Sequence, residues 1–139
     1  EDGSLVYKIH LFHKQLAPGS IIYRKKNYVG IITSPIPLPA DEKSECYALK
    51  SYDNSMKSFG ITERSLNIFK PDSVVSDNDI AVVLIKSEKQ LYIRSVIEKA
   101  NRIDLVSDAG VKSYKKTKKE CDVHILGKVV LSTFSPNEN

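Results

Sequence analysis

The chain has 139 residues, 21 Lys and Arg against 17 Asp and Glu, and a formal charge of +4, which makes room for one domain and too little for a comfortable pair. Its 41% hydrophobic and 27% charged residues lie near the globular average, excluding a disordered tail, a collagen-like chain and a coiled coil. The longest apolar run, Ile80 to Ile85, has the length of a strand and not of a bilayer-crossing helix, so the expectation is a soluble, cytoplasmic chain with no membrane partner.

Short runs rich in Val, Ile, Tyr and Leu alternate with Gly, Pro, Asp, Asn and Ser, and predict strands. In chain order they are Leu5 to Leu11, Tyr28 to Thr33, Cys46 to Lys50, Leu66 to Phe69, Ile80 to Ile85, Leu91 to Ile97, Ile103 to Val106 and Asp122 to Thr133. The fold class expected is mostly β: a compact antiparallel barrel or sandwich of several short sheets with little helix. Ala17-Pro18-Gly19 breaks the chain after the first strand. Thr33 to Ala40, with prolines at 35, 37 and 39, reads as an extended connector, because proline has no N–H to give a central strand. Ser55 to Gly60 is the best candidate for a turn of helix, ended by the glycine. Ser87 to Gln90 and Glu98 to Arg102 read as hairpin loops. Lys112 to Lys119, five lysines around Tyr114, reads as a solvated loop, or as a contact for phosphate or an acidic partner.

Cys46 and Cys121 are too few for a disulfide scaffold and are not spaced as zinc ligands with His10, His13 or His124. Reduced thiols, no metal and no cofactor are expected. The charge of +4 biases the chain only weakly toward anionic partners. Because the first residue is Glu1 and not Met, a fragment or a processed chain is expected. Ser55 follows a strand-like run and precedes the candidate helical turn, a place from which a fixed backbone projects a hydroxyl. That suits a nucleophile, and equally a serine that merely caps a turn.

From Cys46 to Phe134 the order of segments resembles the C-terminal domain of the LexA-like family, peptidase family S24, which includes LexA, UmuD and phage repressors of the lambda type. The matching pieces are Tyr47-Ala48-Leu49-Lys50 before Asn54-Ser55-Met56, then Ser76-Asp77-Asn78-Asp79-Ile80-Ala81-Val82-Val83. Leu91-Tyr92-Ile93-Arg94-Ser95-Val96, Ile103-Asp104-Leu105-Val106-Ser107-Asp108 and Val123-His124-Ile125-Leu126-Gly127-Lys128-Val129-Val130 follow. The resemblance implies residues 21–139 as the S24 domain and residues 1–20 as an N-terminal arm.

In that family a serine and a buried neutral lysine cut the protein's own chain upstream of the domain, when a RecA filament stimulates them. Burial disfavours the ammonium and so makes the lysine a base. The resemblance puts Ser55 at the nucleophile position and Arg94 where the lysine belongs. Arginine keeps its proton, so it cannot serve as that base. Lys86, Lys89 and Lys99 lie near it in sequence, but Lys86 and Lys89 flank one predicted hairpin loop and Lys99 lies in the next. Ala17, Pro18 and Gly19 stand where the cleavage segment would, with a proline between Ala and Gly, and read either as its remnant or as a simple turn. Asp53 replaces a usual glycine, and Glu63-Arg64-Ser65 a usual Asp-Gly-Asp turn.

Three functions follow from the resemblance. The first is a dimerisation and regulatory domain of a prophage-type or SOS-response transcriptional repressor with a degenerate dyad. It would form a homodimer through Val123, Ile125, Val129 and Leu131, and would reach DNA through an N-terminal domain, with a RecA filament among its implied partners. The second is an active serine peptidase with another base, either a self-cleaving repressor or a relative of signal peptidase. The third is a UmuD-like polymerase accessory subunit.

Overall fold

The computed structural model describes residues 7–19, 22–34, 46–117 and 120–134. Nine strands follow one another: β1 (Tyr7–Phe12), β2 (Tyr28–Ser34), β3 (Tyr47–Lys50), β4 (Ser65–Pro71), β5 (Ile80–Ile85), β6 (Gln90–Glu98), β7 (Arg102–Ser107), β8 (Gly110–Lys115) and β9 (Val123–Phe134). They make a single sheet in the order β2-β1-β3-β4-β9-β5-β6-β7-β8. The fold is mostly β, as expected, but the expected several short sheets are joined through β9. One pairing is parallel, β1 beside β3, because the long excursion through β2 brings the chain back in the same direction. The helical content among the described residues is two 3-10 turns, Lys25–Asn27 and Lys57–Phe59. The second ends on Gly60 at φ +87°, a left-handed position that glycine takes without strain. No helix among the described residues is long and apolar enough to cross a membrane.

The apolar hexad Ile80–Ile85 explains the centre of the molecule. A strand buried on one face alternates, whereas this one is buried almost throughout because it serves two cores. Val82 and Leu84 point into a cluster with Phe12, Leu49, Met56, Phe69, Leu91, Ile93 and Leu126. Ala81, Val83 and Ile85 point the other way, against Val96, Ile103, Leu105 and Val123. The first cluster carries interlocking rings: Phe12 meets Tyr28 edge-on at 5.1 Å and tilts against Phe69 at 6.0 Å. His10 stacks on Tyr28 at 4.4 Å, which gives that histidine a packing role.

β9 changes neighbours along its length. Val123 to Lys128 pair with β5, and Gly127 to Phe134 pair with β4. At the exchange, a Cβ on Gly127 would lie 2.0 Å from the Lys70 carbonyl oxygen, so only glycine lets the three strands meet. The buried Asn67 fixes the β4 side. Asn67 Nδ2 donates to the carbonyls of Leu49 and Ser65, and its Oδ1 accepts from the Ser132 hydroxyl at 2.7 Å.

The Lys112 to Lys119 stretch is not a loop throughout, because residues up to Lys115 belong to β8. Its alternating lysines and serine conceal a strand, as is common at a sheet edge, where charge prevents unwanted pairing. Lys118 and Lys119 lie outside the described residues, as do the three prolines at 35, 37 and 39. Within the expected arm of residues 1–20, β1 runs between β2 and β3, with Ile9 and Phe12 fully buried. The described part of that arm is therefore built into the sheet.

Candidate active site

The backbone around Ser55 is held from several directions. Asp53 Oδ1 accepts the Ser55 N–H at 2.9 Å, an Asx turn that the Asp-Asn-Ser order favours. Asn54 Oδ1 accepts the Glu63 N–H at 2.9 Å, which ties the serine loop to the turn before β4. From the other side the Asp108 N–H donates to the Ser55 carbonyl at 2.7 Å, and the Asp108 carboxylate accepts from the Ser58 N–H and hydroxyl. Those bonds keep Asp108 ionised, with its carboxyl below the ordinary range. The β7–β8 turn and the serine loop thus position one another.

The structure brings Ser55 and Arg94 together. Arg94 Nη1 donates to Ser55 Oγ at 3.1 Å and to its neighbour's carbonyl, Ile93 O, at 2.7 Å, while the guanidinium lies 5.0 Å from the Tyr92 ring centroid. The alternation of β6 explains the placement. Leu91 and Ile93 face the aromatic core, so Tyr92 and Arg94 face the cleft. Asp53 completes the group. Its carboxyl is pulled below the ordinary range first by the hydrogen bond from the Ser55 side chain. Partial burial opposes this, while the Ser55 N–H and the charges of Arg94 and Lys14 reinforce it. The serine therefore stands between a permanent cation that donates to its hydroxyl and a carboxylate that accepts from its backbone N–H. Neither takes a proton readily at neutral pH: the guanidinium is already protonated and has no acceptor, and a carboxylate of lowered pKa is a weak base.

Lysines are distributed otherwise than the sequence suggested. Lys86, Lys89 and Lys99 are not among the residues around the small cavity beside Ser55, whereas Lys14 and Lys50 are. Lys14 arrives through an isolated bridge, Gln15 opposite Gln90, closed by Leu91 N–H to Lys14 O and Leu16 N–H to Lys89 O, both at 2.8 Å. Its Nζ stands 5.9 Å from the ring centroids of both Tyr52 and Tyr92. No local pattern marks Lys14, since only that long-range bridge places it. Ala17, Pro18 and Gly19 do not line the cavity. The Ala17 N–H is held instead by Oδ1 of the buried Asn27 at 2.8 Å. Of the proposed dimer residues, Val123 is only 4% exposed and packed in the chain's own core, while Ile125, Val129 and Leu131 are half-buried.

No group of His, Cys, Asp and Glu among the described residues could hold a metal ion, and Cys46 and Cys121 are free thiols. Burial pushes the Cys46 thiol up, away from the reactive thiolate.

A mostly β domain with a loop serine fixed beside a cationic side chain on β6 defines a class of small peptidase-like domains. Residues 10–130 match the family described as Peptidase S24-like, and the chain belongs to that family. No curated protein matches the chain.

Proposed function

We propose that this chain is a dimerisation and regulatory domain of a LexA- or phage-repressor-like transcriptional regulator, cytoplasmic, in which the Ser-Lys pair of self-cleavage has degenerated. The observation that carries the reading is the 3.1 Å contact between Arg94 Nη1 and Ser55 Oγ, a donor that never gives up its charge where a neutral amine would be required. The unit takes in β1, since that strand shares the core, and does not begin at residue 21. Self-association would use the outer half of β9. Beyond Lys128 its β5 side has no partner strand among the described residues while its β4 side stays paired, which leaves half an edge for a second copy. Val129 and Leu131 belong to that half. Val123 does not, its side chain being committed to the inner core. DNA would be reached through a separate N-terminal domain, and a RecA filament would be a partner only if signalling outlasted cleavage.

One observation favours an active peptidase with a different base, namely Lys14 beside the Ser55 cavity. Its ammonium lies over two tyrosine rings, 5.9 Å from each centroid, and no hydrogen bond from it to Ser55 Oγ is formed among the described residues. The test is incubation up to about pH 10, where free lysine side chains begin to lose their protons, followed by mass spectrometry. No new N-terminus near Gly19 is expected, in the chain as it stands or in Ser55→Ala. A fragment formed by the chain but not by Ser55→Ala overturns the reading. Sedimentation should show a dimer that Leu131→Arg weakens.

A further inference from the structure

The positive charge of the chain is gathered around the β7–β8 hairpin. Residues 98–120 hold seven Lys and Arg against four Asp and Glu, a net +3 in a chain whose whole charge is +4. Three of those four acids are already engaged: Asp108 holds the serine loop, Glu98 holds Lys116, and Asp104 accepts from Arg102 Nε and from the Ser113 hydroxyl. Ile103 and Leu105 pack with Val83 and Val96, so Arg102 points to the other face of the sheet, and the residue directly opposite it on β8 is Lys115. Like charges set directly across a strand pair destabilise a sheet. Protection of the β8 edge accounts for lysines along that strand, but not for a cation placed against another cation.

Beside that pair lies an open cleft of about 450 Å³, lined by Asn101, Arg102, Lys115, Lys116 and Thr117, with neither a carboxylate nor an apolar residue in its walls. The groove of about 250 Å³ between Tyr92 and Tyr114 differs, because Glu88 stands in its lining with Arg94 and Lys112 and offsets part of their charge. The cleft is carried on fixed backbone. The Lys99 N–H donates to the Arg102 carbonyl at 2.9 Å and the Lys116 N–H to the Asn101 carbonyl at 3.0 Å, so the cations stand on bonded strand ends and not on a free loop. Arg102 Nε is turned to Asp104 at 3.2 Å, which orients the guanidinium and leaves its Nη groups without a hydrogen bond among the described residues. Arginine, lysine, threonine and asparagine are side chains that hold phosphate oxygens. A protein partner would call for an apolar centre to the contact, and a single-stranded nucleic acid for an exposed ring to stack on; the walls offer neither.

We propose that this cleft binds the phosphate backbone of a nucleic-acid duplex without reading its bases, through Arg102, Lys115 and Lys116. The contact belongs to this domain itself, is additional to any made through a separate one, and does not depend on the reading of Arg94. The probe is a labelled DNA duplex of about 20 base pairs and mixed sequence, titrated with the full chain from about 20 mM salt upward and followed by anisotropy and amide shifts. Saturable binding is expected, with a slope of log affinity on log salt of about −2 to −3, as for two or three phosphates, and with the amides of residues 99–102 and 113–117 moving. Lys115→Gln with Lys116→Gln should weaken binding about tenfold and flatten that slope by about two. This pair leaves the Arg102–Asp104 contact whole, so it keeps the test open should Arg102→Gln fail to fold. Lys25→Gln with Lys26→Gln removes the same charge from exposed residues just before β2, at the far end of the sheet order, and should change binding little. No saturable binding at the lowest salt, equal weakening by the two double variants, or tighter binding of a labelled poly-glutamate than of the duplex overturns the proposal.

Discussion

The two cores that share β5 are finished differently. On one face, Phe12, Phe69, Met56 and Leu126 are fully buried, and the rings of Tyr23, Tyr28 and Tyr47 close over them. On the other, Val83, Ile85, Val96 and Leu105 are aliphatic, and the layer opens into the groove between Tyr92 and Tyr114. An aromatic side chain buries more area than a branched aliphatic one, and only partly buried rings, Tyr92 and Tyr114, border the second core. The unsealed side is the one where Arg94 and Lys112 stand. In this fold a cleft is what remains where the core runs out of bulk.

Substitutions in both cores can break that comparison. The largest effect is expected from Phe69→Ala, which removes a fully enclosed ring and should cost about 3–5 kcal/mol in urea unfolding. Leu105→Ala, beside the open groove, should lie near the lower end of the aliphatic range, about 2 kcal/mol, because the site already borders solvent. Equal losses at the two positions would mean that the second core is as well sealed as the first. Asn67→Ala removes the side-chain bonds to the carbonyls of Leu49 and Ser65 and from the Ser132 hydroxyl, and about 1–3 kcal/mol is expected.

The smallest effect, on the cleft itself, is one of pH. The Asp53 carboxyl is lowered, so its stabilising contribution is present above its unfolded pKa near 3.9 and is lost as pH falls through the lower folded value. Asp53→Asn should flatten the acid limb of an unfolding-versus-pH curve, with Asp104 and Asp108, also lowered, retaining part of it. On the alkaline side burial raises the Tyr23 and Tyr92 hydroxyls to about 12, in Tyr92 with help from Glu88. Their contribution is complete below pH 10, near the unfolded value, and is lost as pH rises toward 12. An unchanged acid limb in Asp53→Asn would separate the serine loop from the charge network drawn around it.

How much could be read beforehand depended on whether a signal was local. Ile80 to Ile85 declared a buried strand by composition alone, and the observed β5 has the same limits. The Gly60 turn and the hairpins on either side of β6 were visible because each is built by adjacent residues. Strand β8 was hidden, since an edge strand that faces water carries the lysines and serines of a loop. Ser55 and Arg94 could be named from the order of segments, yet their contact needed the pairing of Ala81 with Arg94 and the bond from Asp108 to Ser55. Lys14 could not be found, because nothing near it in sequence hints that Gln15 meets Gln90.

The exchange of neighbours along β9 also governs how the molecule can come into being. β4 and β5 are consecutive in the chain but are held apart in the sheet by β9, the last of the nine strands to be synthesised. While a ribosome is still short of residue 123, both therefore present bare inner edges to whatever else is nearby, and the sheet cannot be completed. A nascent or truncated chain that stalls there carries two adhesive seams in the middle of its body, and its need for a chaperone should end when the final strand slides between them.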